Sequence, residues 1–209
     1  MIGAVYNPRP SLTGIGAVLR LTGGEARGRR LKAPRGLRTR PTSDKVREAL
    51  FDILGARIEG ARFLDAYAGT GAVGCEALSR GAGRAVFLER DPIALGLIAE
   101  NLKLGAWSGA VEIVEGDARA ALRRLGTTGK RFEIVYLDPP YDDPALADAL
   151  ALSARLLAPG GMVIVEHRSS AAVEVPAGLL PFRSYRHGDA ALTACRAPGN
   201  LRPDTLFDP

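Results

Sequence analysis

Asp138-Pro139-Pro140-Tyr141 carries the residue types and spacing for holding a planar amine. The tetrapeptide follows Phe132-Glu133-Ile134-Val135-Tyr136-Leu137, an apolar run that reads as a buried strand and stops at the prolines. An acidic side chain, two prolines and an aromatic at a strand end make a rigid polar clamp beside a flat platform. Those parts suit a nitrogen-bearing planar group, such as the exocyclic amine of a nucleobase. Asp-Pro-Pro turns also occur in ordinary loops, so the clamp needs a companion.

The companion lies upstream, in Asp65-Ala66-Tyr67-Ala68-Gly69-Thr70-Gly71-Ala72-Val73-Gly74. Ala61-Arg62-Phe63-Leu64-Asp65 reads as a strand and 71–80 as a helix capped by Gly81. Gly69, Gly71 and Gly74 form a G-x-G-x-x-G pattern between them, which lets a ligand approach the backbone beside a helix N-terminus. By default that pattern means NAD or FAD. Two details point elsewhere. Asp65, ahead of the glycines, favours a cationic ligand over a pyrophosphate. The next strand, Ala85-Val86-Phe87-Leu88-Glu89, ends about 20 residues on in a carboxylate placed for a ribose hydroxyl pair.

The elements that must position these residues alternate. Strands are expected near 62–66, 85–89, 111–115, 132–137 and 161–166, with helices near 71–80, 92–104, 117–125 and 143–157. Asp91-Pro92 reads as an N-cap with proline at the first helical position, and Pro159-Gly160-Gly161 as the end of the last helix. An earlier helix starts at Pro41-Thr42, with Thr42 or Ser43 as its cap and Val46, Leu50, Ile53, Leu54 and Ile58 as its apolar stripe. Two last runs, 181–186 and 190–196, flank His187-Gly188-Asp189 as an antiparallel hairpin. The expected fold is α/β and Rossmann-like, a mostly parallel seven-stranded sheet with helices on both faces and a terminal hairpin. Ligands in such sheets bind beyond the carboxyl ends of the strands, where all the motifs fall.

Composition narrows the class. A chain of 209 residues, 46% apolar, can bury one sizeable core. No stretch reaches the ~20 apolar residues of a membrane span, and 1–22 is too broken by proline and glycine for a signal peptide. The expectation is a soluble cytoplasmic monomer with no membrane or metal partner. Two cysteines, Cys75 and Cys195, supply neither a disulfide framework nor zinc spacing, and Cys75 reads as a packing residue. His167 and His187 lack metal-ligand companions and read as structural or solvent-facing. Charge is lopsided: between Arg20 and Arg47 ten basic residues face two acidic ones, +8 in a chain whose net charge is +5. The remainder is therefore −3. A basic arm on a mildly acidic body is the footprint of nucleic-acid binding. The expected organisation is a disordered extension (1–18), a basic arm (19–41), one catalytic domain (42–197) and a flexible tail (198–209).

The motif set resembles the class I S-adenosylmethionine-dependent methyltransferases. The segment Leu21-Thr22-Gly23-Gly24-Glu25-Ala26-Arg27-Gly28-Arg29-Arg30-Leu31, together with Leu37-Arg38 and Arg40-Pro41-Thr42-Ser43-Asp44-Lys45-Val46-Arg47-Glu48-Ala49-Leu50-Phe51, resembles the bacterial RsmD family. That family comprises the 16S ribosomal RNA guanine-N2 methyltransferases, acting on the guanine conventionally numbered 966. The likeness covers roughly 19–196. It departs where Leu21-Thr22 replaces the usual Ile-Ile, where Tyr141 replaces the common Phe, and where Arg40 is inserted before Pro41. The resemblance implies S-adenosylmethionine as cofactor, held by Asp65, Ala66, Ala68, Gly69, Gly71, Glu89, Arg90, Asp117 and Ala118. Glu89 would take the ribose and Asp117 the adenine. It implies catalysis by Asp138, Pro139, Pro140 and Tyr141, and RNA contacts from Arg27, Arg29, Arg30, Arg38, Thr42 and Arg47, with Arg47 open to a second reading as helix-surface charge.

In the implied reaction Asp138 and the Pro139 carbonyl accept hydrogen bonds from guanine N2, Tyr141 stacks on the base, and either Asp138 or water takes the proton. The partner would be 16S rRNA in the small subunit or its assembly intermediate. The residues leave rivals open. DNA adenine-N6 and cytosine-N4 methyltransferases share the clamp but commonly add segments to read the major groove, for which this chain has little length. Glutamine methyltransferases of release factors begin the clamp with Asn. A non-catalytic RNA-binding or assembly factor should have a degraded cofactor loop, and here it is intact.

Overall fold

A computed structural model describes residues 19–34, 44–141 and 143–198. Seven strands form one sheet: β1 (Arg62–Asp65), β2 (Arg84–Glu89), β3 (Val111–Glu115), β4 (Phe132–Leu137), β5 (Leu157–Arg168), β6 (Leu180–His187) and β7 (Ala190–Arg196). Five α-helices accompany them: α1 (Asp44–Leu54), α2 (Ala72–Ser79), α3 (Pro92–Asn101), α4 (Ala118–Thr127) and α5 (Leu146–Ala154). The strand order is β3-β2-β1-β4-β5-β7-β6, with β7 antiparallel to both neighbours and the other pairs parallel. The order reverses between β1 and β4, which opens a crevice beyond their carboxyl ends.

Alternation along the central strands divides the core. Phe63, Ile134, Ile164 and Leu192 face Leu50, Phe51 and Leu54 of α1. Leu64, Val86, Val135 and Val163 face Leu122 and Leu125 of α4 and Leu150 of α5. Because both sheet faces are covered, β4 needs no polar alternation, and four of its six residues form an unbroken buried run. A third cluster joins Leu19, Leu21, Ala26 and Leu31 of the basic arm to Cys75, Phe87, Ile98 and Trp107. The arm is thereby seated on the domain by apolar burial. It folds back on itself through an antiparallel bridge between Arg20 and Arg30. No helix among the described residues is long and apolar enough to cross a membrane.

Three boundaries differ from expectation. The helix expected at 143–157 spans only Leu146–Ala154, and Pro159-Gly160-Gly161 lies inside β5 rather than ending a helix. The register of β5 against β4 shifts there, from Phe132 opposite Leu157 to Ile134 opposite Met162. Proline and glycine are tolerated in a strand at such an irregularity, where a ladder hydrogen bond is already missing. The helix expected at 92–104 ends at Asn101 and continues as one 3-10 turn, Leu102–Leu104. The expected cap at Thr42 or Ser43 lies outside the described residues.

Candidate active site

Parallel pairing puts the motif residues at one end of the sheet. Asp65 closes β1 opposite Phe87, and Glu89 closes β2 opposite Glu115 of β3. Asp138 directly follows β4, whose Tyr136 pairs with Asp65. Backbone bonds extend the order past the strands. The Ala66 amide donates to the Tyr136 carbonyl at 3.0 Å, the Ala68 amide to the Leu88 carbonyl at 3.0 Å, and the Gly116 amide to the Glu89 carbonyl at 2.9 Å. The loop after β1 is thus held between the ends of β4 and β2.

Within that loop the glycines have different reasons. Gly69 adopts φ +53°, and a Cβ there would meet nothing within 4 Å, so its outer face is open to a ligand. At Gly74 a Cβ would lie 2.2 Å from the Phe87 ring, so glycine is what lets α2 close on β2. The Gly74 amide donates to Asp65 at 3.1 Å. Asp65 is otherwise enclosed, 1% exposed, and burial pushes its carboxyl up to about 7 against the opposing effect of that hydrogen bond, with nearby Glu89 raising it further. A cation beside it would reverse the shift.

Glu89 is oriented by backbone. One oxygen accepts from the Gly69 amide at 2.7 Å, and the other from the Arg90 and Asp91 amides at 2.8 and 2.9 Å. The same carboxylate therefore ties the glycine loop to the start of α3. Asp91 caps α3 by accepting from the Ile93 amide at 2.7 Å, as Asp-Pro implies. Asp117 caps α4 through the Ala120 amide at 3.1 Å, with Ala118 as the first helical residue. Tyr67, inside the loop, carries no functional signal in the sequence. Its hydroxyl is pushed up to about 12 by burial and by the Asp143 and Asp117 carboxylates, so it stays a neutral donor. Cys75 is fully buried, and burial holds its thiol near 12, consistent with packing alone.

At the clamp, Asp138 is half-buried, Pro139 buried and Pro140 exposed. Beneath them the Tyr136 hydroxyl donates to Glu166 at 2.7 Å in a closed environment. The Arg168 guanidinium lies over one face of the Tyr141 ring, 4.9 Å from its centroid. Two consecutive prolines remove two backbone donors, so this turn presents acceptors, the complement of an amine.

The candidate RNA contacts separate into three groups. Arg27, Arg29 and Arg30 are exposed on the folded-back arm, and Arg29 also donates to the Leu104 carbonyl. Arg38 and Thr42 lie outside the described residues. Arg47 departs from the expected surface position. It is 0% exposed, bonded to Asp44 at 2.8 Å, to the Arg20 carbonyl, and paired with Glu76 at 3.4 Å. Enclosed in this way, it can act neither as a phosphate contact nor as helix-surface charge. A groove between α1 and β6, lined by Lys45, Asp52, Arg183 and Tyr185, contains none of the motif residues. Among the described residues there is no cluster of three metal-ligating side chains.

Comparison with known proteins agrees with this geometry. A family model described as "Conserved hypothetical protein 95" matches residues 19–196. The chain is 38% identical over 144 residues to the Ribosomal RNA small subunit methyltransferase D of Escherichia coli, covering 69% of this chain and 70% of that one. It is 30% identical over 182 residues to the protein of the same name from Haemophilus influenzae, covering 81% and 94%. Among solved structures, the hypothetical protein TTHA0928 of Thermus thermophilus superposes with a TM-score of 0.71 at 35% identity, covering 86% of this chain and all of that one.

Proposed function

The chain belongs to the RsmD family, and from that premise we propose that it methylates the N2 amine of a guanine in the 16S RNA of the small ribosomal subunit. It is a methyltransferase, as its relatives' names and its fold agree, and its methyl donor is read as S-adenosylmethionine from the residues of the loop. The observation that carries the finer reading is the row of four carboxylates. Asp65 and Glu89 at the ends of β1 and β2, and Asp117 and Asp138 just beyond the ends of β3 and β4, stand in chain order at one end of four parallel strands, on both sides of the switch point.

The residues present fit this cofactor. Gly69 leaves an open face, Asp65 is a buried carboxylate whose raised pKa a cationic group would lower, and Glu89 is fixed by three amides beside the loop. Asp65, Ala66, Ala68, Gly69 and Gly71 would hold the amino-acid end, Glu89 and Arg90 the ribose, and Asp117 with Ala118 the adenine. The cofactor supplies an electrophilic methyl group on a sulfonium.

Everything else falls to the chain. The lone pair of guanine N2 is delocalised into the ring, which makes the amine a poor nucleophile. Asp138 and the Pro139 carbonyl accept hydrogen bonds from its two N–H groups, which draws the lone pair back onto nitrogen and aims it. Tyr141 supplies the stacking face. Asp138 is the nearest acceptor for the departing proton, with water as the alternative. Positioning of this kind can remove roughly 7–11 kcal/mol from a barrier. A guanine in an unpaired RNA loop spares the few kcal/mol of extrusion that a stacked base requires. Arg27, Arg29 and Arg30 hold the phosphates, and the reaction belongs in the bacterial cytoplasm, where small subunits are assembled.

The test is transfer of labelled methyl to small subunits lacking this modification, with duplex DNA and release factor alongside. Label on a single guanine of 16S RNA supports the reading. Label on DNA or protein instead would assign the clamp to another amine.

A further inference from the structure

The basic arm and the cofactor loop meet at one side chain. Asn101, the last residue of α3, is 0% exposed. Its Oδ1 accepts from the Lys32 amide at 2.7 Å, and its Nδ2 donates to the Lys32 carbonyl at 3.0 Å and to the Thr70 carbonyl at 2.9 Å. The first two bonds grip the arm's backbone as a neighbouring strand would. The third reaches the residue between Gly69 and Gly71. Arg30 and Arg29, on the exposed side of the arm, are only two and three residues from Lys32.

The same arm is tied to the helix that opens from the loop. The Thr22 amide and hydroxyl both donate to Glu76 of α2 at 2.8 Å. The Glu25 amide donates to the Ser79 carbonyl at 2.8 Å, and the Ser79 hydroxyl bridges the Ala26 amide and the Gly23 carbonyl at 3.0 and 2.7 Å. On the outer side the Trp107 indole donates to Glu25 at 2.7 Å. Arm, glycine loop, α2 and the end of α3 are therefore one hydrogen-bonded unit. Displacing the arm would strip Asn101 of the two Lys32 bonds that orient its amide toward the Thr70 carbonyl.

We infer that Asn101 is a positioning residue that couples RNA binding on the arm to cofactor binding in the glycine loop. The inference rests on the reading of the arm as the RNA contact and the loop as the cofactor site. A ligand bound across the arm opposes its opening, and with it the release of Asn101 and the loosening of the glycine loop that compete with cofactor binding, so each ligand tightens the other by the same factor. Asn101 is suited to this because an amide donates and accepts at once. Its isostere Asp keeps the acceptor for the Lys32 amide but turns an anionic oxygen toward the Lys32 and Thr70 carbonyls.

Equilibrium dialysis of labelled S-adenosylhomocysteine, with and without unmethylated small subunits, measures the coupling. The wild-type protein should bind the nucleoside about tenfold tighter in the presence of subunits, within the usual range for such linkage. Asn101→Asp and Asn101→Ala should bring that factor to within about twofold of unity. Lys32→Ala removes the Lys32 side-chain charge but keeps the backbone that Asn101 grips, so it should retain the factor even if subunits bind less well. An unchanged affinity in the wild type overturns the inference, as does a full factor in both Asn101 variants. Should those variants fail to fold, hydrogen exchange decides it in the wild type. Subunits alone should slow exchange at the Gly69, Thr70 and Gly71 amides, and unaltered exchange there would refute the coupling. Methyl transfer by the same preparations reports separately on the activity: transfer without coupling removes Asn101's role and leaves the reaction standing.

Discussion

Arg47 and Glu76 lie 3.4 Å apart, Nε to Oε2, with both side chains shut off from solvent. Glu76 is the hub of that pair. It also accepts from the Thr22 amide and hydroxyl and from Arg80 at 2.8 Å. Removing one member of a buried ion pair leaves the other charge without compensation, at a cost of about 3–5 kcal/mol. Glu76→Ala should therefore lower the urea midpoint by an amount corresponding to that range with an unchanged m-value. A loss below about 1 kcal/mol, the scale of a surface pair, would show that the network is not closed in solution.

Gly24 sets the arm's closest approach. Its φ is +76°, and an added Cβ would fall 1.8 Å from the Ser79 carbonyl oxygen. Backbone cannot yield as a flexible side chain can, so Gly24→Ala should lift the arm from α2. Limited proteolysis between Leu19 and Lys32 should become much faster, while cleavage elsewhere is little changed. Equal cleavage rates in the two proteins would contradict the close approach.

The pH dependence of cofactor binding follows from Asp65. Burial raises its carboxyl from 3.8 to about 7. The folded chain therefore holds this proton more tightly than the unfolded chain does. The stability it contributes is complete below about pH 4 and lost as pH rises through about 7. A cationic cofactor favours the carboxylate, so binding at pH 6 should release approaching one proton per molecule, and binding at pH 8.5 almost none. Calorimetry in buffers of different ionisation enthalpy measures the release. Asp65→Asn should abolish it; release that survives the substitution would move the titration to another group.

The exposed arginines of the arm should carry the salt dependence. If Arg27 and Arg30 each neutralise one phosphate of an unpaired RNA segment, replacing both with Gln lowers the slope of log K against log salt by about 1.4, at roughly 0.7 per contact. Arg47→Met, at a buried position, should leave that slope alone. A slope altered by Arg47→Met and not by the arm variants would reverse the assignment.

What the sequence revealed and what it hid divide along contact distance. The strand ends, the glycine loop, the Asp91 cap and the clamp are readable because each is a local pattern whose physics is complete within about ten residues. Arg47 lies in a basic run and therefore reads as surface charge, yet its partners are the Arg20 carbonyl, 27 residues back, and Glu76 on another helix. Asn101 gives no signal at all, since it bonds backbone 69 and 31 residues away and neither Lys32 nor Thr70 advertises an acceptor. Pro159-Gly160-Gly161 spells a stop in one dimension and becomes a strand irregularity only when β4 lies beside it. Tyr67 reads as one more loop residue because the burial and nearby carboxylates that raise its hydroxyl arise only in the fold.

In the proposed reaction Asp138 and its prolines hold a guanine amine of 16S RNA for methyl transfer. This role is tested most directly by incubating unmethylated small subunits and labelled S-adenosylmethionine with the wild-type protein and with Asp138→Ala. The wild type should label one guanine at N2. Asp138→Ala should lose about 100-fold or more in rate, on the scale of losing a positioned acid–base group, while its cofactor affinity stays within a few-fold of the wild type. Equal labelling by Asp138→Ala, or label carried by any other base, would contradict this role.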